Sequence, residues 1–328
     1  MMKRHLAFVT VCLLLLLAAV GCSAAGGDMP ASGPGDAAAA KAVAWLVANH
    51  QNDDGGYTSF SAGANQAPSD PAGTLDALLA LAAGGGNTEP ALSYRRANGP
   101  ALEATAAESA GQLGKLLLAL SAAGADPRDL GGQDYVAQLA GLVDASGSFG
   151  VADAFNHSLA MLGLKSGGEN VPEAAAAWLE STQAANGSWD DGFGTTDNSD
   201  ATAMAIMALL AAGRSARDAS VVAAADFLAG TQAAAGGWAY GTGLPAGASS
   251  TALVVQAITA LGDDPAANDT RWAMNGRSPL DTLLLYQGQS GAFQADFGDG
   301  PFDDFLSTVQ AIPAAAGRVW PMAPDGAK

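Results

Sequence analysis

Cysteine and histidine are scarce in this 328-residue chain, with 2 Cys and 3 His. Cys12 falls inside an N-terminal apolar run and Cys22 stands at its end. The remaining body therefore has no disulfide, no Cys-liganded zinc and no cysteine nucleophile. His50 and His157 are the only histidines of that body and lie on separate units, which argues against a His-based metal cluster or triad. Basic charge is equally thin, with 14 Lys+Arg against 32 Asp+Glu and a net charge of -18. Nucleic-acid binding needs clustered Lys and Arg, so that partner class is excluded. Alternating strand-like stretches longer than a few residues are missing, which excludes a sheet-built domain. Aromatics make up 6%, whereas hydrophobic residues reach 49% and Gly numbers 42. The chain can bury a core, and that core must be built from small, closely packed side chains.

Lys3 and Arg4 precede an apolar run, Leu6 to Val20, which ends at Gly21-Cys22. This is the order of a secretory signal, too short for a comfortable span of about 20 residues. Leu17-Ala18-Ala19-Val20-Gly21-Cys22 resembles a bacterial lipobox, although Ala19 stands where Leu is usual. The resemblance implies acylation of Cys22 and a lipoprotein outside the cytoplasm, tethered to the membrane. The Gly/Ser/Pro/Ala stretch that follows reads as a spacer. The expected organisation is a signal peptide over 1–21, acylated Cys and tether over 22–36, one folded domain over 37–322 and a tail over 323–328.

The folded part repeats itself. Glycine is followed directly or at one remove by an aromatic in Gly55-Gly56-Tyr57, Gly147-Ser148-Phe149, Gly187-Ser188-Trp189, Gly236-Gly237-Trp238 and Gly291-Ala292-Phe293. The later intervals are roughly 40 to 55 residues and the first about double, so a degenerate unit is expected over 87–123. Six units result. Each pairs a charged helix ending near Gln (Gln51, Gln183, Gln232, Gln287) with a nearly uncharged one, such as Ala201 to Gly213 or Ala248 to Gly262. A helix apolar all round must be buried in protein. Alternation of the two kinds predicts an all-α fold, an α/α6 toroid with an inner ring of helices inside an outer ring. An open solenoid is the alternative.

Gln183-x-x-x-Gly187-Ser188-Trp189 and Gln232-x-x-x-Gly236-Gly237-Trp238 resemble the Gln–Gly–Trp repeats of terpenoid cyclases and protein prenyltransferase β subunits. The resemblance covers about residues 38 to 320 and implies the same toroid. Its catalytic groups carry over poorly. The acid motif DxDDTA of triterpene cyclases corresponds to Asn198-Ser199-Asp200-Ala201-Thr202-Ala203, where only Asp200 remains. A lone Asp entering a helix also reads as an N-cap. The prenyltransferase zinc set needs a Cys, and His157 has none to join it. Glycosidases of α/α type use paired carboxylates, for which Asp190, Asp191, Asp197 and Asp200 are the candidates. No acidic run matches an EF-hand loop.

Five further segments resemble, in the same order, the helical domain of cobalamin carriers of the transcobalamin and intrinsic factor type. They are Ala110-Gly111-Gln112-Leu113, Phe155-Asn156-His157-Ser158-Leu159-Ala160, Asp200-Ala201-Thr202-Ala203-Met204, Ser250-Thr251-Ala252-Leu253 and Thr308-Val309-Gln310-Ala311-Ile312-Pro313. The resemblance places Gln112, Phe155, Asp200 and Gln310 against a corrinoid. Gly247 stands where the family has a ligand-binding Asn, and the family's covering β-domain has no counterpart here. A separate lid or transporter protein is therefore expected.

Half of the aromatics, Phe60, Phe193, Tyr240, Phe297 and Phe302 among them, fall in outer-to-inner connections that would meet at one rim. Aromatics around a concave mouth suit a small-molecule site. For Trp189 and Trp238 the favoured reading is a pin between repeats. The expected ligand-binding residues are Gln112, Phe155, His157, Asp197, Asp200, Tyr240 and Gln310. The expectation is a toroid that binds a bulky small molecule, a cobalamin-type ligand first, or a partner protein docked on its acidic rim, without catalysis or metal. The alternative is a terpenoid- or saccharide-processing enzyme using Asp200.

Overall fold

In a computed structural model the described residues are 33–59, 62–106, 109–151, 153–192 and 194–322. The signal segment, Cys22, Phe60, Phe193 and the tail over 323–328 lie outside them. Twelve helices alternate along these residues. They are α1 (Pro34–His50), α2 (Pro71–Gly84), α3 (Glu89–Ala106), α4 (Ala110–Ala122), α5 (Tyr135–Ala140), α6 (Ala154–Ser166), α7 (Glu173–Ser181), α8 (Ser199–Ala211), α9 (Ala219–Gly230), α10 (Ala248–Ala260), α11 (Pro279–Leu284) and α12 (Phe305–Ala315). The even-numbered helices touch in order, α2 to α4, α6, α8, α10 and α12, and α12 returns to α2. They form a closed inner ring, and the odd-numbered helices pack outside it. The fold is an all-α toroid of six units, with α3 and α4 as the degenerate second unit. Two two-stranded ladders, Trp238–Ala239 with Ala246–Gly247 and Gln294–Ala295 with Phe302–Asp303, decorate the last two outer-to-inner connections. Among the described residues no helix is long and apolar enough to cross a membrane.

Small side chains set the inner ring. From Ala201 to Leu209 every residue of α8 is essentially sealed from solvent. A Cβ at Gly163 would collide with the Gly114 backbone, and one at Gly114 with the Leu159 carbonyl. Glycine is thus what lets α4 and α6 approach.

The turn aromatics are pins between the rings. The backbone N–H groups of Tyr57, Trp189, Trp238 and Phe293 donate to Thr74, Thr202, Thr251 and Thr308 Oγ1 at 2.9, 3.1, 3.0 and 2.9 Å. Each Thr is the fourth residue after the N-cap of its inner helix, Asp70, Asn198, Gly247 or Asp304. The Trp189 and Trp238 indoles donate to the Leu179 and Leu228 carbonyls at 2.9 and 2.7 Å. Burying such a ring removes roughly 150–250 Å² from water, worth roughly 4–6 kcal/mol before ordering costs.

The preceding glycines join one unit to the next. Gly187 has φ 92° and Gly291 φ 98°, and a Cβ there would strike the Ala223 or Lys41 carbonyl of the following outer helix. Gln183 Nε2 bridges the Gly187 and Ser220 carbonyls at 2.9 and 2.8 Å. Gln287 Nε2 does the same for Gly291 and Ala38 at 2.9 and 2.8 Å, linking the sixth unit to the first.

The body begins earlier than the boundary at 37. Pro34 occupies the first turn of α1, where a missing N–H costs nothing. Gly35 is buried, and a Cβ there would run into the Ala315 carbonyl. Pro and Gly that read as spacer are here a helix start and a close contact.

Candidate functional site: the mouth and lumen of the toroid

All six inner helices run the same way, so their N-termini share one end. Their N-caps are Asp70, Ser109, Asp153, Asn198, Gly247 and Asp304. The sixth residue after each cap is Asp76, Lys115, Leu159, Met204, Leu253 or Gln310. Five of these six (all but Met204) line a single cavity with Leu79, Phe155, Val309 and Trp320. That helix position therefore faces the lumen. A volume of about 40 Å³ leaves room for a few waters. Lys115 Nζ and Asp76 Oδ1 pair at 2.7 Å on its wall, between the neighbouring helices α4 and α2, each side chain about a quarter exposed. Trp320, five residues past the end of α12, packs against the core and reaches into the same cavity.

One tier toward the N-termini lies the mouth. Phe155 is half-buried and belongs to the first turn of α6 rather than to a connection, and Gln112 is exposed on α4. Asp200 sits in the first turn of α8 but does not cap it; the Asn198 side chain accepts the Ala201 N–H at 2.7 Å and is the cap. Asp200 is 7% exposed, and its Oδ1 has no partner among the described residues. Burial pushes its carboxyl up to about 7, and a hydrogen bond from Ser250 of α10 partly offsets the rise. Tyr240 stands beside this group, 39% exposed, and donates its hydroxyl to Asp191 Oδ2 at 2.7 Å. Burial first, then the Asp191 hydrogen bond and the Asp191 and Asp200 charges, push its phenol up to about 12.

The rim aromatics divide into two groups. Tyr57, Phe149, Trp189, Trp238 and Phe293 are buried pins. Tyr240, Phe297 and Phe302 are exposed, and Phe297, at 83%, lies against Phe302 with ring centroids 5.5 Å apart. Leu244 and Leu306 are also exposed, so among the described residues the exposed apolar side chains of this end fall mostly in the fifth and sixth units, with Leu142 in the third.

Two expected site residues lie elsewhere. His157 is the fourth residue after the α6 N-cap, the position that Thr holds in four other units. It is fully buried between the rings, 3.0 Å from the Ala175 carbonyl through Nε2 and stacked on Trp178 at 4.2 Å. Burial pulls its imidazole down to about 4. Asp197 accepts from Asn186 Nδ2 at 2.6 Å and from the Ser188 hydroxyl at 3.1 Å, which fixes the turn leading to Trp189. Phe155 and Gln310 do meet, in the lumen cavity, and Asp200 and Tyr240 meet at the mouth. Sequence reasoning missed Asp76, Lys115, Gln256 and Trp320. The available signal was a charge at the lumen-facing position of two nearly uncharged helices. Among the described residues no group of three or more His, Cys, Asp or Glu is arranged to hold a metal ion.

The sequence matches no protein-family model, and no curated protein matches it. Solved structures do resemble it. The type II terpene cyclase MstE from Scytonema is 15% identical with a TM-score of 0.59, covering 86% of this chain and 97% of the other. A protein from Actinoplanes is 16% identical with a TM-score of 0.59, covering 86% and 98%. Haptocorrin in complex with Cbi is 16% identical with a TM-score of 0.56, covering 86% and 67%. At these identities the shared property is the fold, a terpene-cyclase-like α/α toroid that is also similar to a cobalamin carrier.

Proposed function

We propose that this chain is a membrane-anchored lipoprotein outside the cytoplasm whose toroid binds a bulky, amide-bearing small molecule at its mouth, with a corrinoid as the first candidate and without transforming it. The observation that carries this reading is the state of the lumen. A cyclase must enclose its substrate and exclude water from the reacting carbons. Sites for molecules of that size occupy about 300–1,000 Å³, whereas the cavity in this lumen has a volume of about 40 Å³ and carries the Lys115–Asp76 pair on its wall. A large ligand is therefore better accommodated on the mouth than inside. There Tyr240 supplies a ring face, Gln112 supplies an amide and Asp200 supplies an unpartnered acceptor, with Phe155 and Gln310 one tier below at the lumen cavity. Asp200 would take an N–H from an amide arm of the ligand, a contact that a hydrocarbon cannot make. The likeness to haptocorrin in complex with Cbi supports the same class.

The test is isothermal titration with cobalamin and cobinamide. Wild type should bind, and Asp200→Ala and Gln310→Ala should each weaken binding by about tenfold, the loss of roughly one buried hydrogen bond. Turnover of an isoprenoid or oligosaccharide substrate, abolished by Asp200→Asn, would establish the enzymatic reading instead. A partner that closes the mouth fits the exposed Tyr240, Leu244, Phe297, Phe302 and Leu306. The anchor is tested separately: Cys22→Ala should move the protein from the membrane to the soluble secreted fraction, and unchanged membrane retention would refute the anchor.

A further inference from the structure

The lumen holds polar groups that nothing in the fold uses. Gln256 is fully buried on α10, one turn past the cavity-lining Leu253, and neither its Oε1 nor its Nε2 has a partner among the described residues. Gln310 Oε1 and Trp320 Nε1 are buried and unpartnered as well, and both residues line the cavity. Leaving such groups unpaired is costly, and the packing of the rings does nothing to relieve it.

We infer that the lumen is a subsite for a short neutral arm that both donates and accepts hydrogen bonds, a primary carboxamide being the best match. The orphan groups at the cavity are one carbonyl acceptor, Gln310 Oε1, and one donor, Trp320 Nε1, and Gln256, one turn past the lining Leu253, adds an orphan acceptor and an orphan donor beyond them. A carboxamide offers two N–H donors and a carbonyl with two lone pairs, so it can satisfy both kinds. A carboxylate arm would face the two amide oxygens without a proton to give them. An ammonium arm would face the indole and amide N–H groups without an acceptor. Lys115 and Asp76 already neutralise each other at 2.7 Å, so neither attracts a charged arm without losing its partner. A hydrocarbon arm would leave every orphan unpaired. The volume of about 40 Å³ admits an amide on a short stem and excludes a ring system. This inference extends the reading of the mouth, since an amide-bearing ligand seated there has arms that point down the same lumen. It does not depend on that ligand being a corrinoid.

The experiment is a titration of the ¹⁵N-labelled full-length protein with propionamide, propionate and propylammonium, followed on the Trp320 indole and glutamine side-chain N–H resonances. Propionamide should shift these resonances saturably, and the two charged analogues should do so at least tenfold more weakly. Gln256→Leu and Gln310→Leu, on separate helices, should each weaken the propionamide response by at least tenfold. No saturable shift with propionamide, or an equal response to all three probes, overturns the subsite. Propionamide binding that is unchanged in both variants also overturns it. Because the probe is not a corrinoid, the two proposals fail independently. Cobinamide bound without a lumen response to propionamide sinks the subsite alone, and the converse sinks the mouth reading alone.

Discussion

The interface between the two rings and the lumen inside the inner ring share the six inner helices, yet the recurring polar groups of the turns and the polar groups of the lumen are treated differently. Between the rings the polar groups of the repeating turns are engaged, although Tyr57 Oη and His157 Nδ1 have no partner among the described residues. Turn amides meet Thr hydroxyls, indoles meet carbonyls, and Gln183 and Gln287 each bridge two carbonyls across neighbouring units. Inside the ring and at its mouth Gln256, Gln310, Trp320 and Asp200 carry buried atoms without partners. The difference separates residues that hold the toroid from residues that hold something else. It predicts that substitutions between the rings cost stability, whereas substitutions facing the lumen leave stability level or raise it.

The largest effect should come from the pins. Trp189→Ala and Trp238→Ala should each lose about 3–5 kcal/mol in denaturant unfolding, the usual cost of truncating a buried aromatic. A loss below 1 kcal/mol would show that the turns do not hold the rings together. Asp200→Asn should act in the other direction, raising stability at pH 8 by a few kcal/mol. The folded carboxyl titrates at about 7 and the reference carboxyl at 3.8. Between those values the folded state keeps a proton that the unfolded state has lost, so stability falls as pH rises from about 4 to 7. Asparagine removes that slope, and a wild-type slope persisting in the variant would contradict the assignment.

His157 should show the reverse dependence. Its folded imidazole titrates at about 4 against 6.5, so the unfolded chain takes up its proton first as pH falls. Stability is lost from pH 6.5 down to 4, and His157→Gln should remove this acid-side loss when melting is followed from pH 7 to 4. Because Asp200 and His157 oppose each other in that window, the single variants separate them where the wild-type profile cannot. A smaller effect is expected from Thr202→Val, about 1–2 kcal/mol for leaving the Trp189 amide unpaired. Phe297→Ser, at a ring 83% exposed, should change stability by less than about 0.5 kcal/mol. A larger change would mean that this rim is structural.

The contrast also explains what could be read from the sequence. Six units were legible because a Gly–aromatic turn is local: the glycine supplies the positive φ, and the aromatic follows it within two residues. The unit of α3 and α4 was located by the doubled interval. His157 misled because it occupies the Thr position of its helix, and a sequence does not say which side of an apolar helix faces outward until the ring closes. The Lys115–Asp76 pair was hidden for the same reason, since its partners sit on two helices that become neighbours only when the inner ring forms. Asp200 stands out in the sequence as a lone acid at the start of an uncharged helix, but its setting does not, because Asn198 two residues earlier takes the capping role.

The most direct test of the central claim is native mass spectrometry of the protein isolated from its own host, comparing wild type with Asp200→Ala. The account predicts a wild-type species carrying a bulky amide-bearing small molecule, chemically unchanged after release, and a marked loss of that species in the variant. Bare protein from the host, together with conversion of an added isoprenoid by wild type and not by the variant, would contradict it.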